Sequence, residues 1–249
     1  MALRFMAPDQ RNVQSAFACL ARELEHAAYD VREATVAAGK LEWWAGELIS
    51  AARGTPQHPL TRVLARIDAF AHAPWNALIA GAMSQRDVDA SGDLSTLLAG
   101  HQLLQAPLAE VQAMMFAGVS ATATAASRSI SCALRELIRL DDGRMREGTL
   151  PLPLDLLARH QLTRAELMRS GSARNAAVCD MLSALVARFD VIAADVADLA
   201  LTEVATMEAN RVRARRALRA RDPLVALRHA FRSVSPRVAW SVWRRARAS

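Results

Sequence analysis

The sequence predicts an all-α protein, a bundle of several helices. Apolar residues recur at three- and four-residue intervals through most of the chain, the period of one helix face. No apolar–polar alternation persists long enough for a strand, and no repeat of roughly 20–50 residues is present. Proline, glycine and aspartate gather at a few places and cut the pattern into bundle-sized lengths. With 249 residues, 52% of them hydrophobic, the chain can bury a large core. We expect one domain over residues 1–249, ending in a basic tail at 211–249.

In chain order, Asp9 follows a proline and can cap a helix through "QRNVQSAFACLARELEHAAYDVREATVAA". Val13, Phe17, Leu20 and Leu24 form its apolar stripe. Gly39 is expected to interrupt it, and "KLEWWAGELISAA" to resume. Trp43 and Trp44 point about 100° apart on a helix. One ring is therefore expected in the bundle and the other against a neighbouring helix or the loop "RGTPQHP" at 53–59. A helix is expected over 60–71, with Pro74 opening another. "SQRDVDASGD" at 84–93 reads as a connection or short helical turn. Pro107 suits the first turn of a long helix reaching about Ile138. Within it, "AMMFAGVSATATAAS" (113–127) is expected as a buried helix whose small residues admit close neighbours. "DDGRMREGTLPLP" (141–153) breaks the pattern. Asp155 can cap "LLARHQL", and Thr163 can cap "TRAEL" with Glu166 completing a capping box. The stretch 172–220 is one long helix or two joined end to end, and Pro223 and Pro236 divide the tail.

Composition and motifs exclude several classes. No basic start and apolar run mark a signal peptide, and no apolar run reaches the roughly 18–20 residues that cross a bilayer. Cys19, Cys132 and Cys179 are far apart, with no CxxC or Cys/His cluster, so a zinc site is not expected and free thiols in a reducing cytosol are. No G-x-S-x-G, P-loop or dinucleotide fingerprint is present. The six histidines, His26, His58, His72, His101, His160 and His229, are scattered and read as cap, loop or surface residues. The formal charge is +6, carried almost wholly by arginine, with Lys40 the single lysine. "RVRARRALRARDP", "RHAFRSVSPR" and "WRRARA" crowd the tail with positive charge. Either a solvated helical face or contact with phosphates, anionic lipid or an acidic partner fits this. No nucleic-acid motif accompanies the charge, so a nucleic-acid partner is not expected.

The segment "VREATVAAGKLEWWAGELISAARGTPQHPL" resembles the squalene/phytoene synthase family, through Leu41, Trp43, Trp44, Leu48, Gly54, His58 and Pro59. "LRELIRLDDGRMREGTLPLPLDLLARHQLT" is similar to a second family block, through Leu134, Arg135, Glu136, Gly148, Leu152, Pro153, Asp155, Leu156 and Leu157. "ARDPLVALRHAFRSVSPRVAWSVWRRA" looks like the family's closing helices, and the three blocks fall in family order. The double tryptophan is frequent in a divergent branch that includes proteins implicated in respiratory complex I assembly. The resemblance implies a helical bundle of the isoprenoid (terpenoid) synthase type with a central cavity. It also implies head-to-head joining of two prenyl diphosphates by magnesium held between two D-x-x-x-D motifs. Spacing of i,i+4 stacks two carboxylates on one helix face, where they hold the cations that neutralise the leaving diphosphate.

Neither motif is intact. Asp30 stands in the first, with Ala34 at i+4 and Glu33 as the one nearby substitute. Glu136 stands in the second, with Leu140 at i+4 and Asp141 and Asp142 just beyond; aligned from "GTLPLP", Arg144 falls where an acid belongs, and Pro151 replaces a tyrosine. The literal D-x-x-x-D, Asp89 to Asp93, lies in a loop-like segment of the wrong block. Asp180, Asp190, Asp195 and Asp198 are unpaired acids that fit salt bridges with the many arginines. We therefore expect a non-catalytic family member with no cofactor, binding a prenyl or other lipid-like chain or acting as a partner-binding or assembly protein. Met114, Met115, Phe116 and Gly118 are its candidate cavity wall. Trp240 and Trp243 in the basic tail are candidate contacts to a membrane surface or partner, placing the protein in the cytoplasm or peripherally at the inner face of a membrane. The alternative is an active magnesium-dependent prenyltransferase of squalene or phytoene type. In it Asp30, Glu33, Glu136, Asp141 and Asp142 ligate metal and Arg135 and Arg139 steady diphosphate. A helical interaction module with neither cavity nor ligand is the third reading.

Overall fold

The structure, a computed structural model, describes residues 8–116, 118–142, 148–194, 199–232 and 240; the side chains of Asp141 and Asp142 lie outside that description. Among the described residues every regular element is a helix. They fall into two compact units, one within Met1–Val88 and Gln102–Ala125, the other within Asp89–His101 and Ala126–Ser249.

In the first unit, α1 runs Pro8–Glu25 and ends in a π-helical turn, His26–Asp30. Pro8 opens α1, so Asp9 is a first-turn acid rather than the expected cap; proline loses nothing at a position whose N–H has no helical acceptor. Phe17, Leu20 and Leu24 are buried on its inner face, as their spacing implies. The chain then breaks at Val31–Glu33 and α2 runs Ala34–Ala52 straight through Gly39. The break is thus earlier than expected, and its cause is remote. Arg86 donates to the carbonyls of Ala27 (2.7 Å) and Val31 (3.0 Å), satisfying acceptors that a continuing helix would have satisfied itself. Tyr29 reinforces the junction by donating to Gln85 Oε1 at 3.2 Å.

Short α3, Pro59–Leu64, packs on α1, and a 3-10 turn at Asp68–His72 replaces the second half of the helix expected over 60–71. Pro74 precedes α4, Trp75–Ser84, which packs on α2, and a further 3-10 turn spans Gln85–Asp87.

The largest departure is at Pro107. It lies inside α5, Leu94–Met115, instead of opening a helix, and α6, Ala121–Asp142, is separate. The expected buried helix at 113–127 is therefore a helix end, a turn with Gly118 at φ 75°, and a helix start. Proline at 107 removes the N–H that would bond to the Leu103 carbonyl. Gly81 of α4 sits directly on that carbonyl, where an added Cβ would lie 2.1 Å from the oxygen. The bare glycine lets α4 approach just where α5 has an exposed acceptor.

In the second unit, α6 is buried without interruption from Ser129 to Leu134. Arg128 donates to Glu203 through Nε (2.9 Å) and Nη2 (2.5 Å), and Asn210 donates to Ser131 Oγ at 3.0 Å. α7 (Leu154–Arg159) has Asp155 in its first turn, after Pro153. α8 (Arg164–Leu167) carries the expected Thr163–Glu166 capping box. The stretch from 172 is two helices, α9 (Ser172–Ala194) and α10 (Leu201–Ala217), with α11 (Pro223–Phe231) packed on both. Asp222 caps α11 by accepting from Val225 N at 3.1 Å, with Pro223 in the first turn. Pro236 lies outside the described residues.

Candidate functional site

The acids of the two expected metal motifs stand in different units, and each has its own surroundings. Asp30 is the last residue of the π-turn. Its Oδ2 lies 3.0 Å from Arg22 Nη2 and 3.2 Å from His26 Nδ1. Helix geometry explains the cluster, because residues 22, 26 and 30 succeed one another at four-residue steps. Glu33, the expected substitute for the second acid, is exposed and extended (φ −71°, ψ 120°) at the start of α2. A carboxylate stacks on its i+3 or i+4 neighbour only while the backbone stays helical. The break at 31–33 thus separates Glu33 from Asp30, and it would separate an acid at position 34 in the same way.

In the second unit, Glu136 of α6 lies 3.6 Å from His101 Nε2 and 3.5 Å from Arg139 Nη1. His101 is buried, its side chain 3% exposed. Arg135 donates to Cys132 Sγ at 3.1 Å. Asp141 and Asp142 are the last two residues of α6, with side chains outside the description. The remaining acids serve as structural pairs. Asp180 bonds His160 (2.9 Å) and lies 3.7 Å from Arg159, while Asp190 receives Arg211 (3.1 Å) and Arg215 (2.7 Å). Burial alone would raise the Asp190 carboxyl, but the two arginines outweigh it and hold it below the usual range. Asp195 and Asp198 lie outside the described residues.

Magnesium requires near-octahedral oxygen ligation, with several carboxylate or water oxygens. Asp30 offers one carboxylate beside an arginine and a histidine, and Glu136 offers one beside a histidine and an arginine. Among the described residues, no three His, Cys, Asp or Glu side chains come together as a metal-binding group. The described residues do not fit the expected metal clamp.

His26 and His101 are both read from sequence as cap, loop or surface residues: His26 is at the surface, beside Asp30, whereas His101 is instead buried within α5, beside Glu136. For His26 the local signal was there, His-x-x-x-Asp on one helix face. His101 and Glu136 are 35 positions apart, and no local pattern links them.

Two clefts lie within the first unit. One, about 500 Å³, is lined by Asp9, Gln10, Val13, Gln14, Ile67, Met115 and Phe116. It takes in two of the four expected cavity residues. Met114 lies about 100° round α5 from Met115 and is 46% exposed, and Gly118 lies in the exposed turn after α5. Phe116 is braced edge-on by buried Phe17, ring centroids 5.5 Å apart.

The second cleft, about 440 Å³, is lined by Cys19, Glu23, Lys40, Trp43, Trp44, His58, Pro59 and Leu60. Here the tryptophan pair resolves as expected. Trp44 is buried, while Trp43 is half-exposed, and both meet the loop residue His58 edge-on, at 5.0 and 5.7 Å. The loop is fixed from below by buried Glu47, whose Oε1 accepts from Gln57 N (2.9 Å), His58 N (2.8 Å) and the Thr61 hydroxyl. Burial pushes the Glu47 carboxyl up, but these donors together hold it below the usual carboxylate range.

The basic tail is partly spoken for. Arg211 and Arg215 hold Asp190, and Arg213 lies 4.5 Å over the Phe231 ring while donating to Ala230 O. Arg216, Arg219, Arg221 and Arg232 are exposed, and Trp240 is 58% exposed; Trp243 lies outside the described residues. Among the described residues no helix is long and apolar enough to cross a membrane.

Comparison with solved structures places this geometry among known folds. A dehydrosqualene synthase in complex with ligand superposes with a TM-score of 0.69 at 11% identity, covering 99% of this chain and 89% of the other. The squalene synthase HpnC from Alicyclobacillus acidocaldarius superposes with a TM-score of 0.64 at 14% identity, covering 92% and 88%. No curated protein sequence matches significantly. Residues 1–244 match the family described as squalene/phytoene synthase. The chain is an all-α protein with the isoprenoid synthase type of fold, and it belongs to the squalene/phytoene synthase family.

Proposed function

We propose that this family member does not ionise prenyl diphosphates and instead works as a binding or assembly protein. One observation carries the reading: the single acid left in each expected metal motif already lies against an arginine of the chain, with a histidine beside it. A divalent ion would have to displace the arginine beside each acid and then find its remaining ligands elsewhere. Loss of a metal clamp removes several kcal/mol of transition-state stabilisation, at tenfold in rate per about 1.4 kcal/mol. The test is release of inorganic diphosphate from farnesyl or geranylgeranyl diphosphate with magnesium. The expected result is release at the rate of buffer alone; release that Asp30→Ala abolishes would overturn the reading.

A second reading, an active head-to-head prenyltransferase, is favoured by Arg135 and Arg139 flanking Glu136 on α6, where they would steady a diphosphate. The same assay separates the two.

The exposed arginines of the tail and Trp240 support contact with an anionic membrane surface. Because Arg211, Arg213 and Arg215 work inside the second unit, truncation from 211 would damage the fold. The informative variant is Arg219→Gln/Arg221→Gln/Arg232→Gln, expected to lose binding to phosphatidylserine vesicles while melting normally. Unchanged vesicle binding would refute the contact.

A further inference from the structure

We propose that the cleft between the start of α1 and the end of α5 binds a long hydrocarbon chain with a hydrogen-bond-donating head, an alcohol or an ammonium, and rejects the same chain bearing a diphosphate. This deepens the binding reading above and rests on it for its purpose, but not for its evidence.

The cleft holds about 500 Å³, within the roughly 300–1,000 Å³ of small-molecule sites. Its wall divides by chemistry. Val13, Ile67, Met115 and Phe116 supply an apolar surface, and Met115 is buried while the others are half-buried. Phe116 is held in place by Phe17, and the unbranched thioether of Met115 adapts to an irregular chain. Asp9, Gln10 and Gln14 supply the polar wall, all on the first two turns of α1. A site with an apolar body and a few convergent polar groups selects an amphiphile.

The head is identified by what the wall contains. Among its seven described lining residues none is Arg, Lys or His, and the one charged side chain among them is the carboxylate of Asp9. A carboxylate and two amide oxygens accept hydrogen bonds from a hydroxyl or an ammonium. A helix N-terminus by itself attracts anions, but Asp9 sits in the first turn and already supplies that negative charge. A diphosphate would bring like charge against it with no cation among the described lining residues to compensate. The head group expected of the family's substrates is therefore the one these described residues disfavour.

The experiment is calorimetric titration of the full chain with farnesol, farnesylamine and farnesyl diphosphate, without magnesium. Farnesol and farnesylamine should bind at least about tenfold more tightly than the diphosphate. Val13→Trp, which fills the cleft, should abolish binding of both. Gln14→Trp at the half-exposed wall is the second blocking variant if the first melts early. Asp9→Asn should weaken farnesylamine and leave farnesol unchanged. Tighter binding of the diphosphate, no binding of either other ligand, or binding indifferent to both tryptophan variants overturns the proposal. Diphosphate release is measured on the same samples. Turnover with the cleft behaving as described would sink the non-catalytic reading alone, and absent turnover with no chain bound would sink the cleft alone.

Discussion

The same substitution, glycine to alanine, should have opposite effects in two neighbouring helices. At Gly81 a Cβ would stand 2.1 Å from the Leu103 carbonyl oxygen and 3.0 Å from Pro107 Cγ. Ordinary contact begins near 3.4 Å, so the oxygen contact is short by about 1.3 Å. Neither neighbour can yield cheaply, since one is helix backbone and the other a ring fused to it. Overpacking costs about 1–3 kcal/mol, and alanine recovers about 0.5–1 kcal/mol of helix propensity. The rigid neighbours put the first term at its upper end, for a net loss of about 2 kcal/mol. At Gly46 of α2 an added Cβ meets nothing within 4 Å, so only the gain of about 0.5–1 kcal/mol remains. The two variants should differ by nearly 3 kcal/mol, a separation of about 1 M in urea midpoint for a slope of about 3 kcal/mol/M. Tryptophan fluorescence suits the measurement, because Trp43, Trp44 and Trp75 all lie in the first unit. Gly81→Ala as stable as the parent chain, at unchanged slope, would refute the close approach.

Three further outcomes test the rest. Ala34→Asp restores the family spacing on paper, yet should bind Mn²⁺ no better than the parent chain in a spin-resonance titration, because the backbone break keeps position 34 off the face of Asp30; a new site would mean the break is absent. Glu47, held below the usual range, stabilises the fold above its unfolded value near 4.5, and that contribution is lost as pH falls through the lower folded value. Glu47→Gln should therefore destabilise at pH 7 by about 1–3 kcal/mol and flatten the acid limb of the stability profile; a parallel, unflattened limb would show that the carboxylate is not the titrating group. Arg128→Met alone should cost about 3–5 kcal/mol by stranding buried Glu203, whereas Arg128→Met/Glu203→Leu should recover most of it; thermal melts of both variants decide, and equal losses would place the cost in packing instead.

What was legible in the sequence was local. The Thr163–Glu166 box, Pro223 at the start of α11, and the buried face of α1 each depend on residues within a turn or two. The family blocks were legible for the same reason, being runs of adjacent positions. The misread boundaries were decided from far away. Pro107 reads as a helix start by every nearby rule, yet it lies inside α5, and the helix packed on it there carries Gly81, 26 positions earlier, whose missing side chain leaves room at the Leu103 carbonyl. The chain breaks at Val31–Glu33 because Arg86 receives the freed carbonyls, and Gly39 does not break α2 because a solvent-facing glycine weakens a helix without ending it. At the candidate site the acids were found and their partners were not. The loss of i+4 acids is a pattern, while the His101 ring beside Glu136 comes from another helix.

The π-turn before Asp30 has a bearing on how this chain is compared with its relatives. Such a turn takes up one residue more than an α-turn in the same rise, here closed by Val31 N to His26 O at 3.1 Å. A cousin lacking that extra residue would carry its acid about 100° further round the helix. Column-by-column comparison of the first motif therefore depends on where the surplus residue is counted, and the natural place for the gap is within 26–30.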